Sequence, residues 1–228
     1  MPATFLTPAE RNQYGQIPNL TETDLRQGFY LAQPDITFIR SFHGATNRLA
    51  IALQLCLIRY CGFLDDEWKK QIPATIITFV FKQLEKERSA GPITALINYG
   101  NRATTRSFHL QQILQYAHFR KWQPMDEPST EKWLVYQGME HDHERWILDK
   151  LCQKLHQDKI LRPSIGTLER LVGGIAELLH EETYQRLSFL WQPDLCKQLD
   201  NLLEIDPQRK LTTHRWLCLV PTANTQKA

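Results

Sequence analysis

The sequence predicts an all-α protein made of two successive helical units, the first with helix-turn-helix-like elements. Three observations carry that prediction. Apolar residues recur at three- and four-residue spacings along most of the chain, and no window alternates cleanly with a period of two. Helix-start signatures stand in front of the periodic segments. The Pro-rich stretch WQPMDEPST (122–130) coincides with a switch to acidic composition and places a boundary between residues 125 and 126. The predicted units are 1–125, with sub-segments of about 1–64 and 72–125, and 126–228.

The elements follow in order. Thr7, Pro8 and Glu10 have the spacing of a capping box with proline at the first helical position. Thr21 with Asp24 repeats the logic, and Pro34 opens a short helix through Arg40. Gly44 separates that helix from a long apolar one at about 45–61. LDDEWKKQIP reads as a charged connection. Pro73 then starts a helix whose Ile76, Ile77, Val80 and Leu84 form a one-sided stripe. Gly91-Pro92 breaks the chain before a short helix, ITALINYG, and Thr104 or Thr105 is the expected cap of the next. Beyond the boundary, one long helix is expected from Ser129, interrupted mildly at Gly138. Ser164 restarts another, with two shorter helices at about 183–191 and 194–203 and a short strand near RWLCLV.

Composition narrows the function classes. The five cysteines have no C-x-x-C spacing, which fits reduced, mostly buried thiols in a cytoplasm. No secretory leader opens the sequence, and its most apolar stretch, 49–64, carries Gln54 and Arg59, so no membrane association is expected. No Walker loop, G-x-S-x-G or glycine fingerprint is present, which leaves no catalytic residue to name. In EHDHE (140–144), His141 and His143 point about 160° apart on a helix and cannot share an ion, so neither metal nor cofactor is expected.

Charge is distributed unevenly. Residues 36–64 contain Arg40, Arg48 and Arg59 and no acid, and residues 88–125 contain five bases and again no acid. Two such blocks make patches suited to a polyanion. In the second block, Leu110, Ile113, Leu114 and Ala117 fall on one arc of the predicted helix. Ser107, Gln111, Gln115 and His118 fall opposite, with Phe108 and Gln112 on their flank. Glutamine can read adenine and arginine can read guanine in the major groove, where carboxylates would repel phosphates. Arg102 before the helix, and Arg120 and Lys121 beyond it, suit a grip on backbone. Arg106 projects onto the apolar side and must reach outward past the first turn or be buried with a partner. Arg48 and Arg59, about 16 Å apart along one helix, suit two phosphates, or snorkel from a buried helix.

These residues meet a known family. LTPAERNQYGQIPNLTETDLRQGFYL, DITFIRSFHGATNRLAIALQLCLIRYCGFL, IPATIITFVFKQLE, TTRSFHLQQILQYAHFRKW and LRPSIGTLERLVGGIAELLHEETYQRL occur in an order that resembles the N-terminal end of the replicative transposases of the Tn-three family. The resemblance implies an all-helical region of two DNA-binding segments that recognises the terminal inverted repeat of a transposon. It also implies an RNase H-like catalytic domain further along, which this chain lacks, so the chain is expected not to be an enzyme. Arg48, Arg102, Arg106 and His109 match the family's pattern, while His118 stands where the family often has glycine.

The expected role is sequence-specific recognition of double-stranded DNA, nucleoid-associated when bound, with a second transposase protomer as a further candidate partner. The candidate contacts are Arg40, Asn47, Arg48, Arg59, Arg102, Arg106, His109, Gln111, Gln115, Arg120 and Lys121. The rival is an all-α interaction scaffold with no nucleic-acid role, in which the bases are split over different faces or paired with acids.

Overall fold

A computed structural model describes residues 5–18, 20–65, 67–84, 96, 99–100, 102–141, 143–188, 193–207 and 211–212. It is all-α, with two minimal two-stranded pairings among the described residues. The chain divides into two compact units, Met1–Ala176 and Glu177–Ala228. The expected boundary at 125–126 thus lies inside the first unit. An apolar cluster of buried residues runs from Leu25 to Phe119, and Leu161, from beyond the expected boundary, packs against it.

Helix α1 (Pro8–Gly15) begins in a full capping box: Thr7 accepts from the Glu10 N–H, and the Glu10 carboxylate accepts from the Thr7 N–H at 2.9 Å. Helix α2 (Glu22–Gly28) repeats the device with Thr21 and Asp24. Helix α3 (Gln33–Arg40) carries Pro34 in its first turn. A turn of four residues leads to α4 (Ala45–Cys61), which Gly62 ends in the left-handed region at φ 70°. Glycine suits that conformation because it has no Cβ to clash with the backbone.

Residues 49–58 of α4 are all buried, so this helix is the axis of the unit. Around it stand α2, α3, α6 (Ala74–Leu84) and α7 (Ala103–Tyr116). Each buried Leu or Ile there contributes about 1.5–3 kcal/mol. The charged connection 64–73 contains a single-turn helix, α5 (Trp68–Gln71). Of the expected helix at 93–100 only Leu96, Tyr99 and Gly100 are described: Leu96 is helical, Tyr99 and Gly100 form a turn, and all three are buried.

The single long helix expected from Ser129 is two helices, α8 (Glu127–Glu140) and α9 (Glu144–Gln157). The chain breaks at His141, whose backbone is extended and whose ring lies 3.9 Å from that of Trp146. Helix α10 (Ile165–Ser188) continues through residues 183–188, where a separate helix was expected. In the first unit, Leu134, Ile147, Leu148, Leu151, Leu155, Leu168, Leu171, Val172 and Ile175 are buried on α8, α9 and α10.

Helix α1 is strapped to these later helices. The Arg11 guanidinium lies 2.8 Å from Glu169, a carboxylate only 4% exposed, and the Leu6 N–H donates to the same group. Arg145 pairs with Glu10 at 2.9 Å, Tyr14 donates to Asp149, and Arg162 donates to the Tyr14 carbonyl.

Strands β1 (Arg120–Lys121) and β2 (Ile160–Leu161) pair in parallel, with Arg120 opposite Ile160. The second unit contains α11 (Pro193–Leu203) and an antiparallel pair, β3 (Ile205–Asp206) with β4 (Leu211–Thr212). The strand expected near RWLCLV lies outside the described residues. Among the described residues no helix is long and apolar enough to cross a membrane, and none of their His, Cys, Asp and Glu side chains are grouped to hold a metal ion.

Candidate nucleic-acid interface

Helix α7 starts earlier than its threonines suggested. Arg102, extended at φ −100° and ψ 125°, is the residue before the first turn, and its carbonyl accepts from the Arg106 N–H. No side chain caps that end, and its first turn holds no acid. The positive end of the helix dipole is therefore not neutralised within α7.

The inner arc of α7 is as the period requires. Ile113, Leu114 and Ala117 are buried and Leu110 is half-buried. On the other side Thr104, Ser107, Phe108, Gln111, Gln115 and His118 are exposed. The helix ends in a Schellman turn: the Phe119 N–H donates to the Leu114 carbonyl at 2.8 Å and the His118 N–H to Gln115 at 3.2 Å. His118 carries the left-handed conformation at φ 59°, the position where the resemblance leads one to expect glycine.

His109 is corrected from a surface contact to an interior residue. It is 6% exposed, and its Nδ1 lies 3.1 Å from the Tyr99 hydroxyl, which accepts from Gln54 Nε2 at 2.8 Å. The Tyr99 hydroxyl thereby joins Gln54 and His109 in one buried polar chain. Burial lowers the His109 pKa and keeps the ring neutral. On a helix His109 precedes Ile113 by four residues, a spacing that marks it as inward-facing.

The basic candidates fall into three states. Arg40, Arg102 and Lys121 are exposed and have no side-chain partner among the described residues. Arg48 and Arg106 are held by backbone oxygens: Arg48 Nε donates to Phe42 at 2.8 Å and Arg106 Nη1 to Gly100 at 2.5 Å. Such bonds orient a guanidinium without cancelling its charge. Arg59 and Arg120 are paired with acids. Arg120 forms a two-pronged bridge to Asp126 at 2.7 and 2.6 Å, and Arg59 reaches Asp35 at 2.9 Å while lying over the Tyr116 ring. Asn47 Nδ2 donates to the His43 carbonyl at the start of α4.

Gly100 is shaped to Arg106. Its φ is +68°, and a Cβ there would lie 2.5 Å from Arg106 Cγ. The outward reach of Arg106 thus follows from a glycine turn that lets its stem pass.

One residue the sequence did not single out joins the two acid-free blocks. The Phe42 carbonyl holds Arg48, and its ring meets His109 edge-on with centroids 5.3 Å apart. Phe38, four residues earlier, stacks flat on Tyr116 at 4.0 Å. The start of α4 and the body of α7 are fixed beside each other by these rings. The four-residue spacing of Phe38 and Phe42 was the available signal. The α3–α4 pair has a helix-turn-helix outline, but its second helix is buried and offers no free face to a groove.

A family model described as "Domain of unknown function (DUF4158)" matches residues 5–175. The chain is 32% identical over 218 residues to the transposase for transposon gamma-delta of Escherichia coli (strain K12), covering 93% of this chain and 21% of that protein. It is 24% identical over 217 residues to the transposase for transposon Tn501 of Pseudomonas aeruginosa, covering 95% of the chain and 21% of the relative. With the transposase for transposon Tn1546 of Enterococcus faecium it shares 28% identity over 184 residues, 81% of the chain and 18% of the relative. The chain thus spans about a fifth of the length of these transposases. Matched over most of its length, this chain belongs to the family described as "Domain of unknown function (DUF4158)" and is a homologue of one region of the Tn-three family transposases.

Proposed function

We propose that this chain is the DNA-recognition part of a transposase, binding a terminal inverted repeat as duplex DNA. The observation that carries the proposal is the outer face of α7. It offers Ser107, Gln111 and Gln115 with no carboxylate among them, beside an uncapped and acid-free N-terminus. Arg40, Arg102 and Lys121 supply cations for phosphates, while Arg48 and Arg106 are oriented by backbone oxygens. Amides read base edges and the cations position them.

A scaffold role is favoured by one observation, the pairing of Arg59 with Asp35 and of Arg120 with Asp126. Those two arginines are accordingly left out of the proposed contact set, as is His109.

Fluorescence anisotropy with an inverted-repeat duplex and its scrambled counterpart, at two salt concentrations, tests the proposal. A cognate preference with affinity falling steeply in salt is expected. Equal and negligible binding of both duplexes favours the scaffold.

A further inference from the structure

We infer that Phe108 is a specificity-determining residue that reads the C5-methyl group of a thymine, so that α7 selects an A·T-containing step; the inference rests on the DNA-binding reading above. Phe108 is 55% exposed, although it sits one residue from the buried His109. Its neighbours at helical spacing are Thr104, Thr105, Gln111 and Gln112, with Gln115 seven residues on. Thr104, Gln111 and Gln115 are exposed, Thr105 and Gln112 are half-buried, and none is charged. More than half of this aromatic residue meets water, and its ring contact is with His109, centroids 6.1 Å apart, so much of its apolar surface is left uncovered.

The chemistry of the row is consistent. Adenine shows an acceptor and a donor to the major groove, which an amide matches with two bonds, and its partner thymine shows a methyl group, which an apolar side chain covers. From Phe108 to Gln115 the helix advances roughly 10 Å, about three base-pair steps. One rigid face therefore presents both a methyl-reading ring and adenine-reading amides within a few base pairs. The residue next to it, His109, is anchored to Tyr99 and Phe42, which fixes the helix backbone at that point.

The test uses the full chain and the inverted-repeat duplex, with each thymine replaced in turn by deoxyuridine, which removes only the methyl group. Anisotropy titrations are made with the wild type and with Phe108→Ala, whose fold is checked by circular dichroism. At one or two positions the wild type is expected to lose about 3- to 10-fold in affinity on losing the methyl. Phe108→Ala is expected to bind the thymine and deoxyuridine duplexes equally at those positions. The inference is overturned if no position matters, or if Phe108→Ala keeps the discrimination, while the wild type still binds the cognate duplex in preference to the scrambled one. It is overturned equally if Phe108→Ala leaves every titration unchanged and disrupts self-association in sedimentation, which assigns the ring to a protein contact. Failure of the wild type to prefer the cognate duplex at all removes the DNA-binding reading itself, a result distinct from the others.

Discussion

Arg59 Nη2 stands 2.9 Å from Asp35 Oδ1, across 24 residues of sequence, and Tyr116 donates to the same oxygen at 2.9 Å. One carboxylate, 5% exposed, thereby ties α3, α4 and α7 together. Replacing Arg59 by Met leaves that charge in the interior with only Tyr116 and the Ala32 N–H as partners. The variant is expected to lose about 2–3 kcal/mol in urea unfolding. The double variant with Asp35→Asn should recover part of it. A fall in DNA affinity of folded Arg59→Met with unchanged stability would instead return Arg59 to the interface.

Acid should unfold the first unit in two stages. The folded pKa of His109 is lowered by burial, so its share of stability is present above about 6.5, the unfolded value, and is lost as pH falls through the folded value. Burial pushes the Asp35 carboxyl up, but its bonds to Arg59, Tyr116 and the Ala32 N–H outweigh this and hold it below the ordinary range. Its contribution is present above about 4 and is lost below that. Melting temperature against pH should show both limbs, with the first missing in His109→Gln and the second in Asp35→Asn.

Gly100→Ala is expected to cost about 1–3 kcal/mol, because the residue must hold φ +68° and its new Cβ meets the Arg106 stem. In a double-mutant cycle, Arg106→Ala should remove the steric part and leave the backbone part. Strict additivity of the two changes would show that the stem is not held against the turn.

His118→Gly should stabilise the chain by about 1 kcal/mol, since the left-handed conformation at φ 59° is strained for histidine and free for glycine. An unchanged or lower urea midpoint would mean that His118 has compensating contacts.

Two interface variants should separate reading from gripping. Gln111→Ala should cost about 1–3 kcal/mol on the cognate duplex alone. Lys121→Ala should weaken binding to every duplex and reduce the slope of affinity against salt. Identical behaviour of the two would place neither at a base edge.

Much of this was legible in the sequence, for reasons of range. Capping at Thr7 and Thr21, the span of α4 between Gly44 and Gly62, and the inner arc of α7 depend on residues within a turn or two of each other. What stayed hidden depends on partners far along the chain. Arg59 could be read only as a phosphate contact or a snorkelling side chain because Asp35 is a separate helix away, and Arg11 could not be matched with Glu169 across 158 residues. His109 was legible in principle, four residues before Ile113, but it entered the contact set through the family resemblance alone.

The turn after α7 has a counterpart. Helix α9, also of fourteen residues, ends with Lys159 in the left-handed region at φ 58° and then enters β2, as α7 passes through His118 into β1. The parallel pairing of Arg120 with Ile160 and Lys121 with Leu161 locks the two exits side by side. The rotational phase of α7 is thereby indexed from its far end. One residue inserted between Tyr116 and Ala117 would leave the ladder in place and swing the whole helix by about 100°. Gln111 and Gln115 would turn toward the interior, and Ile113 toward water. The number of residues in that short turn, more than any single side chain, decides which face of α7 looks outward.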